Sequence, residues 1–171
     1  LDSIYNGGKT YKPDICFVFM NPTGRNIASL KSWHGIKAPW LGTKNIWKLF
    51  TALNLFDKSL LEEINAKRPK DWDYAFANKV YAEVTRNNYF ITNLGKCTQT
   101  DARSLKDEVL ASYLNLLEQE IALVKPNIII TFGNQVSSII LNRKISVGEC
   151  RKQYFEKEIG GKTYKIFPVY Y

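Results

Sequence analysis

The chain has 171 residues and a formal net charge of +8, with 45% hydrophobic and 23% charged residues. This length and composition predict a single soluble domain that encloses its own core. No apolar run approaches the roughly 20 residues of a membrane helix, and no charged-then-apolar leader opens the chain, so a membrane partner and a signal peptide are not expected. The widely spaced Cys16, Cys97 and Cys150 argue against a disulfide framework. We expect a monomeric cytoplasmic protein whose basic surface serves either to attract polyanions or simply to keep it soluble.

The first predicted strand covers residues 14–20 and is bounded by Pro13 and Pro22. Its β-branched and aromatic residues are apolar on both faces, which is typical of a strand in a parallel sheet. Residues 1–13 are expected to form an entry segment with a helical remnant. A long loop follows over residues 21–42, and loops of this length are often functional.

Helices are predicted next. Thr43 is expected to cap a helix whose apolar stripe contains Ile46, Leu49, Phe50 and Leu53. Further helices are predicted over residues 58–66 and 72–86, and the second strand over Tyr89–Asn93. A polar loop over residues 95–103 then leads to the clearest helix, which Ser104 and Asp107 are predicted to cap and which Pro126 ends.

The rest of the chain completes an alternating pattern. Residues 127–132 form the third predicted strand, a helix covers residues 134–141, and Gly160-Gly161 marks a hairpin between residues 153–158 and 163–169. The second arm of this hairpin, residues 164–169, is the fourth predicted strand. Strands alternating with helices predict an α/β fold, a three-layer αβα sandwich with a mostly parallel four-stranded central sheet formed by residues 1–171 as one domain.

Polar and aromatic residues follow three of these strands. Asn21, Asn93, and Tyr170 with Tyr171 stand at the carboxyl ends of the first, second and fourth strands. Ligands of open α/β sheets bind beyond these ends, so we expect the three groups to converge on one site. Trp40 on the long loop is a candidate to cover it. Because the sequence stops directly after the fourth strand, part of the site is expected to lie beyond Tyr171.

Five short motifs occur in an order that resembles the uracil-DNA glycosylase superfamily. The motifs are Met20-Asn21-Pro22, Ala38-Pro39-Trp40-Leu41-Gly42, Phe90–Asn93 with Lys96-Cys97 and Arg103, Lys125–Ile130 with Phe132-Gly133, and Phe167–Tyr170. The Asn-Pro pair is similar to the mismatch-specific and single-strand-selective branches. The Thr-Asn-x-x-Lys-Cys stretch is similar to the thermophilic iron–sulfur branch.

The resemblance implies a monofunctional enzyme that flips uracil or a related damaged base out of DNA and hydrolyses the N-glycosidic bond. In that case Asn21 positions the attacking water, Trp40 stacks on the base in place of the family's phenylalanine, and Asn93 reads the base edge. Met20 would lie beside the base, and Tyr171 would donate to the departing anion. Candidate contacts to DNA phosphates are Lys96, Arg103 and Asn134.

Several positions depart from the family pattern. An amide at Asn21 can orient water but cannot take its proton as a carboxylate can, so turnover should be slow. Tyr171, or Tyr170 with a one-residue slip, stands where superfamily members commonly have a histidine, and His34 does not match that motif. Only Cys97 falls at an iron–sulfur ligand position, so we predict no cluster, no metal and no organic cofactor.

Simpler roles exist for each candidate residue. Asn21 could be only a turn former, Asn93 could cap its loop, and Trp40 could cover the core. Two other functions therefore stay open. One is a nucleic-acid-binding module of the same fold with weakened catalysis, and the other is an unrelated α/β domain that binds a small nucleotide or metabolite.

Overall fold

The computed structural model describes residues 1–170 and contains one six-stranded sheet. The strands are β1 (Asn6–Gly8), β2 (Ile15–Phe19), β3 (Tyr89–Asn93), β4 (Ile128–Phe132), β5 (Phe155–Ile159) and β6 (Lys162–Val169). Their order in the sheet is β1-β3-β2-β4-β6-β5. The four central strands are parallel, and β1 and β5 pair antiparallel at the two edges. The parallel centre confirms the predicted α/β class.

Helices cover both faces of the sheet. They are α1 (Asn45–Ala52), α2 (Lys58–Ala66), α3 (Tyr74–Arg86), α4 (Asp107–Ala111), α5 (Leu114–Val124) and α6 (Asn134–Leu141). The face that carries Phe17 and Phe19, called here the Phe19 face, packs against α1, α2 and α3. The opposite face, which carries Cys16 and Val18 and is called the Val18 face, packs against α4, α5 and α6. Within residues 1–170, no helix is both long and apolar enough to cross a membrane.

Two strands were not counted in the predicted four-stranded sheet. β5 is the first arm of the predicted hairpin, and it adds an edge strand beside β6. β1 lies within the predicted entry segment, where the sequence Gly7-Gly8 does not predict a strand because glycine has a low strand propensity. A Cβ atom at Gly7 would lie only 2.0 Å from Cε1 of Tyr81. Glycine is therefore needed here because α3 approaches the edge strand so closely.

Two predicted helix caps are wrong. The N-cap of α1 is Lys44, and Thr43 instead donates from Oγ1 to the carbonyl oxygen of Trp40 at 2.7 Å. The helix expected from Ser104 begins only at Asp107 and is divided into α4 and α5 around residues 112–113.

The three thiols differ in burial, which gives a direct check of the fold. Cys16 and Cys150 are buried, whereas Cys97 is exposed. Burial raises the pKa of the Cys16 thiol, so little reactive thiolate forms. We expect a disulfide reagent such as DTNB to label one thiol of the native protein rapidly and the other two only after denaturation. A Cys97→Ser variant should lose the fast phase, and an unchanged fast phase would contradict the described packing.

Candidate active site

The pairing of β2 with β3 places Asn93 on the Phe19 face. Phe19 and Asn93 are partners in the parallel register, and paired residues of neighbouring parallel strands point to the same side of a sheet. The ladder continues past the strand ends, where the backbone N–H groups of Leu94 and Gly95 donate to the carbonyl oxygens of Phe19 and Met20, each at 2.8 Å. The two strand ends, and the loops that follow them, are therefore held side by side.

Asn93 carries an unsatisfied donor in the protein interior. The residue is 2% exposed, and its Nδ2 atom has no hydrogen-bond partner among residues 1–170. Leaving a buried donor unpaired costs about 1–3 kcal/mol. The simpler interpretation is that Asn93 caps the following loop. The Nδ2 atom makes no such hydrogen bond among residues 1–170. The amide is thus available to an incoming acceptor.

Trp40 packs against the ring of Phe19, which is the register partner of Asn93 on the same face of the sheet. The indole packs edge-on against Phe19 with a centroid distance of 4.9 Å and an interplanar angle of 73°, and Phe19 in turn stacks on Phe132 at 4.1 Å. The Trp40 ring is partly exposed. An aromatic wall of three rings therefore lines the Phe19 face where β2 and β4 end.

The backbone of Trp40 is held in a strained conformation. Its φ is +64°, in the left-handed region that a bulky residue rarely adopts. The Trp40 carbonyl oxygen accepts hydrogen bonds from Thr43 Oγ1 at 2.7 Å and from Trp47 Nε1 at 3.3 Å. The hydroxyl of Tyr81 donates to the neighbouring Pro39 carbonyl at 2.6 Å. These bonds hold the backbone from which the indole projects, and such strain is concentrated at functional sites.

Asn21 lies at the end of β2, next to the loop that follows β3. Its half-buried side chain donates from Nδ2 to the Pro22 carbonyl at 3.0 Å. A Cβ atom at Gly95 would lie 3.3 Å from the Asn21 Cβ atom, so the loop that follows β3 passes directly beside Asn21. The two loops are further joined by the bond from the Gln99 N–H to the Pro22 carbonyl, at 3.0 Å. The backbones that carry Asn21 and Asn93 therefore lie side by side at the carboxyl edge of the sheet, and the roles expected of their side chains stay predictions.

Met20 and Lys96, which are predicted to contact the base and a DNA phosphate, do not lie beside Trp40 and Asn93 on the Phe19 face. The side chain of Met20 packs into the cluster on the Val18 face, away from Trp40. Lys96 is 8% exposed, and its Nζ atom donates to Glu120 at 2.7 Å and to Thr92 Oγ1 at 2.6 Å. An ammonium group already buried in an ion pair cannot reach a DNA phosphate. The phosphate role predicted for Lys96 is therefore wrong.

The other predicted contacts lie on the surface or outside the described residues. Arg103 is exposed and pairs with the exposed Asp101 at 2.9 Å. Asn134 opens α6, and its Oδ1 atom accepts from the Val147 N–H at 2.9 Å. Both side chains are exposed, and their roles stay predictions. The predicted role of Tyr171 falls outside the described residues.

Glu120 is not among the residues predicted for the site. This residue follows Leu117 by three positions and precedes Val124 by four, so a charge occurs on the apolar stripe of α5. A charged residue in such a stripe signals a buried ion pair. Among residues 1–170, no group of three or more histidine, cysteine, aspartate or glutamate side chains is arranged to hold a metal.

Comparison with known proteins agrees with these features. The profile of the Uracil DNA glycosylase superfamily matches residues 8–171. A curated relative, the type-4 uracil-DNA glycosylase of Saccharolobus solfataricus, is 30% identical over 92 residues, which are 52% of this chain and 43% of the relative. The match thus spans less than half the length of that relative. Because the family profile covers nearly the whole chain, the chain belongs to the uracil DNA glycosylase superfamily.

Proposed function

We propose that the chain is a monofunctional DNA glycosylase that flips uracil, or a related damaged base, out of DNA and hydrolyses its N-glycosidic bond. The observation that carries the proposal is the buried Nδ2 donor of Asn93, which lacks a partner among residues 1–170. Family membership supports the reaction class, and the type-4 relative supports uracil as the base.

Base selection follows from the chemistry of a donor. Uracil presents a carbonyl oxygen, O4, where cytosine presents an amino group that is itself a donor. The Asn93 Nδ2 atom can donate to that oxygen, whereas cytosine would place two donors against each other. A site built to hydrogen-bond one group discriminates strongly against an analogue that leaves its buried polar atoms unpaired.

Hydrolysis requires a positioned water. Breaking the N-glycosidic bond develops positive charge on the sugar, as in an oxocarbenium-like transition state. The Asn21 Nδ2 atom donates to the Pro22 carbonyl, which leaves Oδ1 to accept a hydrogen bond from the water. An amide holds the water without removing its proton, so we expect slower turnover than in superfamily members with a carboxylate there.

DNA binding is proposed to use the exposed Arg103 and Asn134, together with the overall charge of +8. Phosphate contacts fix the register of a protein on DNA but do not read its sequence. Binding should therefore weaken steeply as salt rises.

The direct experiment measures free base released from oligonucleotides with one uracil, in single-stranded and double-stranded form. Oligonucleotides with thymine at that position are the matched control. Release from either uracil substrate supports the proposal. Salt-dependent binding without release at excess protein would favour the weakened binding module, which the amide at Asn21 motivates. Neither release nor binding would favour the small-molecule alternative.

Replacing Trp40 tests the stacking role. Stacking a base on an aromatic ring contributes about 1–3 kcal/mol, so Trp40→Leu should raise KM by about 10- to 100-fold. Trp40→Phe keeps a flat ring and should stay much closer to the parent protein. Steady-state kinetics on the single-stranded uracil substrate measure both. Equal KM values for the Trp40→Leu variant and the parent protein would show that Trp40 does not stack on the base.

A further inference from the structure

A buried polar network lies on the Val18 face, directly behind Asn93. Lys96 Nζ donates to Glu120 Oε2 at 2.7 Å, and the Thr92 hydroxyl donates to the same oxygen at 2.6 Å. The second carboxylate oxygen, Oε1, accepts from the Asn6 side chain. Among the ion pairs of residues 1–170, this is the one in which both side chains are nearly buried, at 10% and 13% exposed. The network joins β1, β3 and α5.

The network holds the backbone that carries the base-reading amide. Thr92 directly precedes Asn93, and Lys96 follows it by three residues. The Lys96 carbonyl also accepts from the Ile4 N–H at 3.2 Å. Because successive residues of a strand point to opposite faces, anchoring Thr92 on the Val18 face aims Asn93 into the Phe19 face.

Such an arrangement is poorly explained by stability alone. A buried ion pair loses in desolvation much of what it gains in attraction, and apolar replacements are often as stable. A binding amide, in contrast, must be held within about 0.5 Å of its working position by surrounding contacts. The polar tie between Lys96, Thr92 and Glu120 supplies such contacts.

We propose that Lys96 and Glu120 are positioning residues that fix Asn93 for base recognition. This inference rests on the proposed function. Both side chains bond to Thr92, which points to the Val18 face, opposite the face that Trp40 packs against, so neither is placed to touch a base beside Trp40.

The chain offers a matched control on the same helix. Glu118 also lies in α5 and pairs with Lys157 at 2.7 Å, but that pair lies beside the far edge strand β5. We expect Glu120→Gln to lower kcat/KM for uracil release by about tenfold and Glu118→Gln to change it by less than about twofold. Equal effects of the two variants would overturn the inference.

A second variant separates positioning from folding. Glu120→Gln leaves the Lys96 charge buried without its partner, which destabilises a fold. The double variant Lys96→Met with Glu120→Gln removes that charge, so its thermal midpoint should return toward the parent value while kcat/KM stays low. Recovery of kcat/KM together with stability would show that the pair serves folding only.

A double-mutant cycle adds a readout that a general structural role would not move. If Glu120 acts through Asn93, Glu120→Gln should have little further effect on kcat/KM in an Asn93→Ala background. In a Trp40→Leu background, its tenfold effect should persist. Full additivity with Asn93→Ala would contradict the inference.

An activity-independent measurement distinguishes failure of this inference from failure of the proposed function. The side-chain amide signals of Asn93 in a ¹⁵N-labelled protein can be identified by their loss in Asn93→Ala. They should shift or broaden in Glu120→Gln and in the double variant, but not in Glu118→Gln. If the parent protein releases no base, the proposed function fails while these signals still decide the positioning role. Unchanged Asn93 side-chain signals in the double variant would contradict the proposed positioning role of Lys96 and Glu120.

Discussion

Replacing Asn93 with alanine is expected to lower kcat/KM for uracil release by about 10²- to 10³-fold, the cost of removing one preorganised hydrogen-bond donor from an active site. The Nδ2 atom is buried and has no partner within residues 1–170, so its substitution breaks no described hydrogen bond of the fold. The loss should therefore appear in base recognition, with salt-dependent binding of undamaged DNA unchanged. Single-turnover kinetics and a binding titration measure the two quantities.

Stability provides the control for Asn93. Removing an unpaired buried donor relieves a desolvation cost, so the free energy of unfolding of Asn93→Ala should not fall below the parent value. Asn115→Ala, at an exposed position on α5, should leave both activity and binding unchanged. A large loss of stability in Asn93→Ala would show that the Asn93 amide stabilises the fold and is not a free donor for a ligand.

Replacing Asn21 with alanine should lower kcat by about 10²-fold and leave KM nearly unchanged, because a water-positioning group acts mainly in the transition state. Asn21→Asp should act in the opposite direction, since a carboxylate can both orient the water and accept its proton. Its rate should rise with pH through the carboxyl pKa, near 4 for an ordinary aspartate, because only the ionised form is a base.

Kinetics at several pH values compare the three proteins. The pH dependence gained by Asn21→Asp should be absent from the parent protein, whose amide does not titrate. A kcat for Asn21→Ala within about twofold of the parent would mean that Asn21 is only the turn former that its place before Pro22 also allows.

The strand ends explain why the site could be foreseen from sequence. Apolar runs bounded by turn residues located the four central strands, and residues 89–93 were predicted with the bounds that the structure shows. In a parallel sheet the carboxyl ends of neighbouring strands meet at one edge. Locating two strands was therefore enough to predict that Asn21 and Asn93 lie at the same edge of the sheet. No knowledge of helix packing was needed.

Features that depend on distant partners could not be foreseen in the same way. The polar loop around Lys96 predicts a phosphate contact, but its partner Glu120 lies on another element and buries it in an ion pair. The edge strand at Gly7 forms by pairing with β3 and is packed closely by α3, and the low strand propensity of glycine gives no sign of either partner. The left-handed backbone of Trp40 likewise depends on hydrogen bonds from α1 and its preceding loop. Sequence periodicity predicts which side of a helix or strand is apolar, but it does not predict which residues of other elements will pack against that side.

A crystal structure of the protein with bound uracil tests the central claim most directly. We predict that the ring lies against Trp40 and that the Asn93 Nδ2 atom donates to O4 at about 2.9 Å, the usual length of an N–H···O bond. Uracil bound elsewhere, or bound beside Trp40 with Asn93 Nδ2 still unpaired, would contradict it.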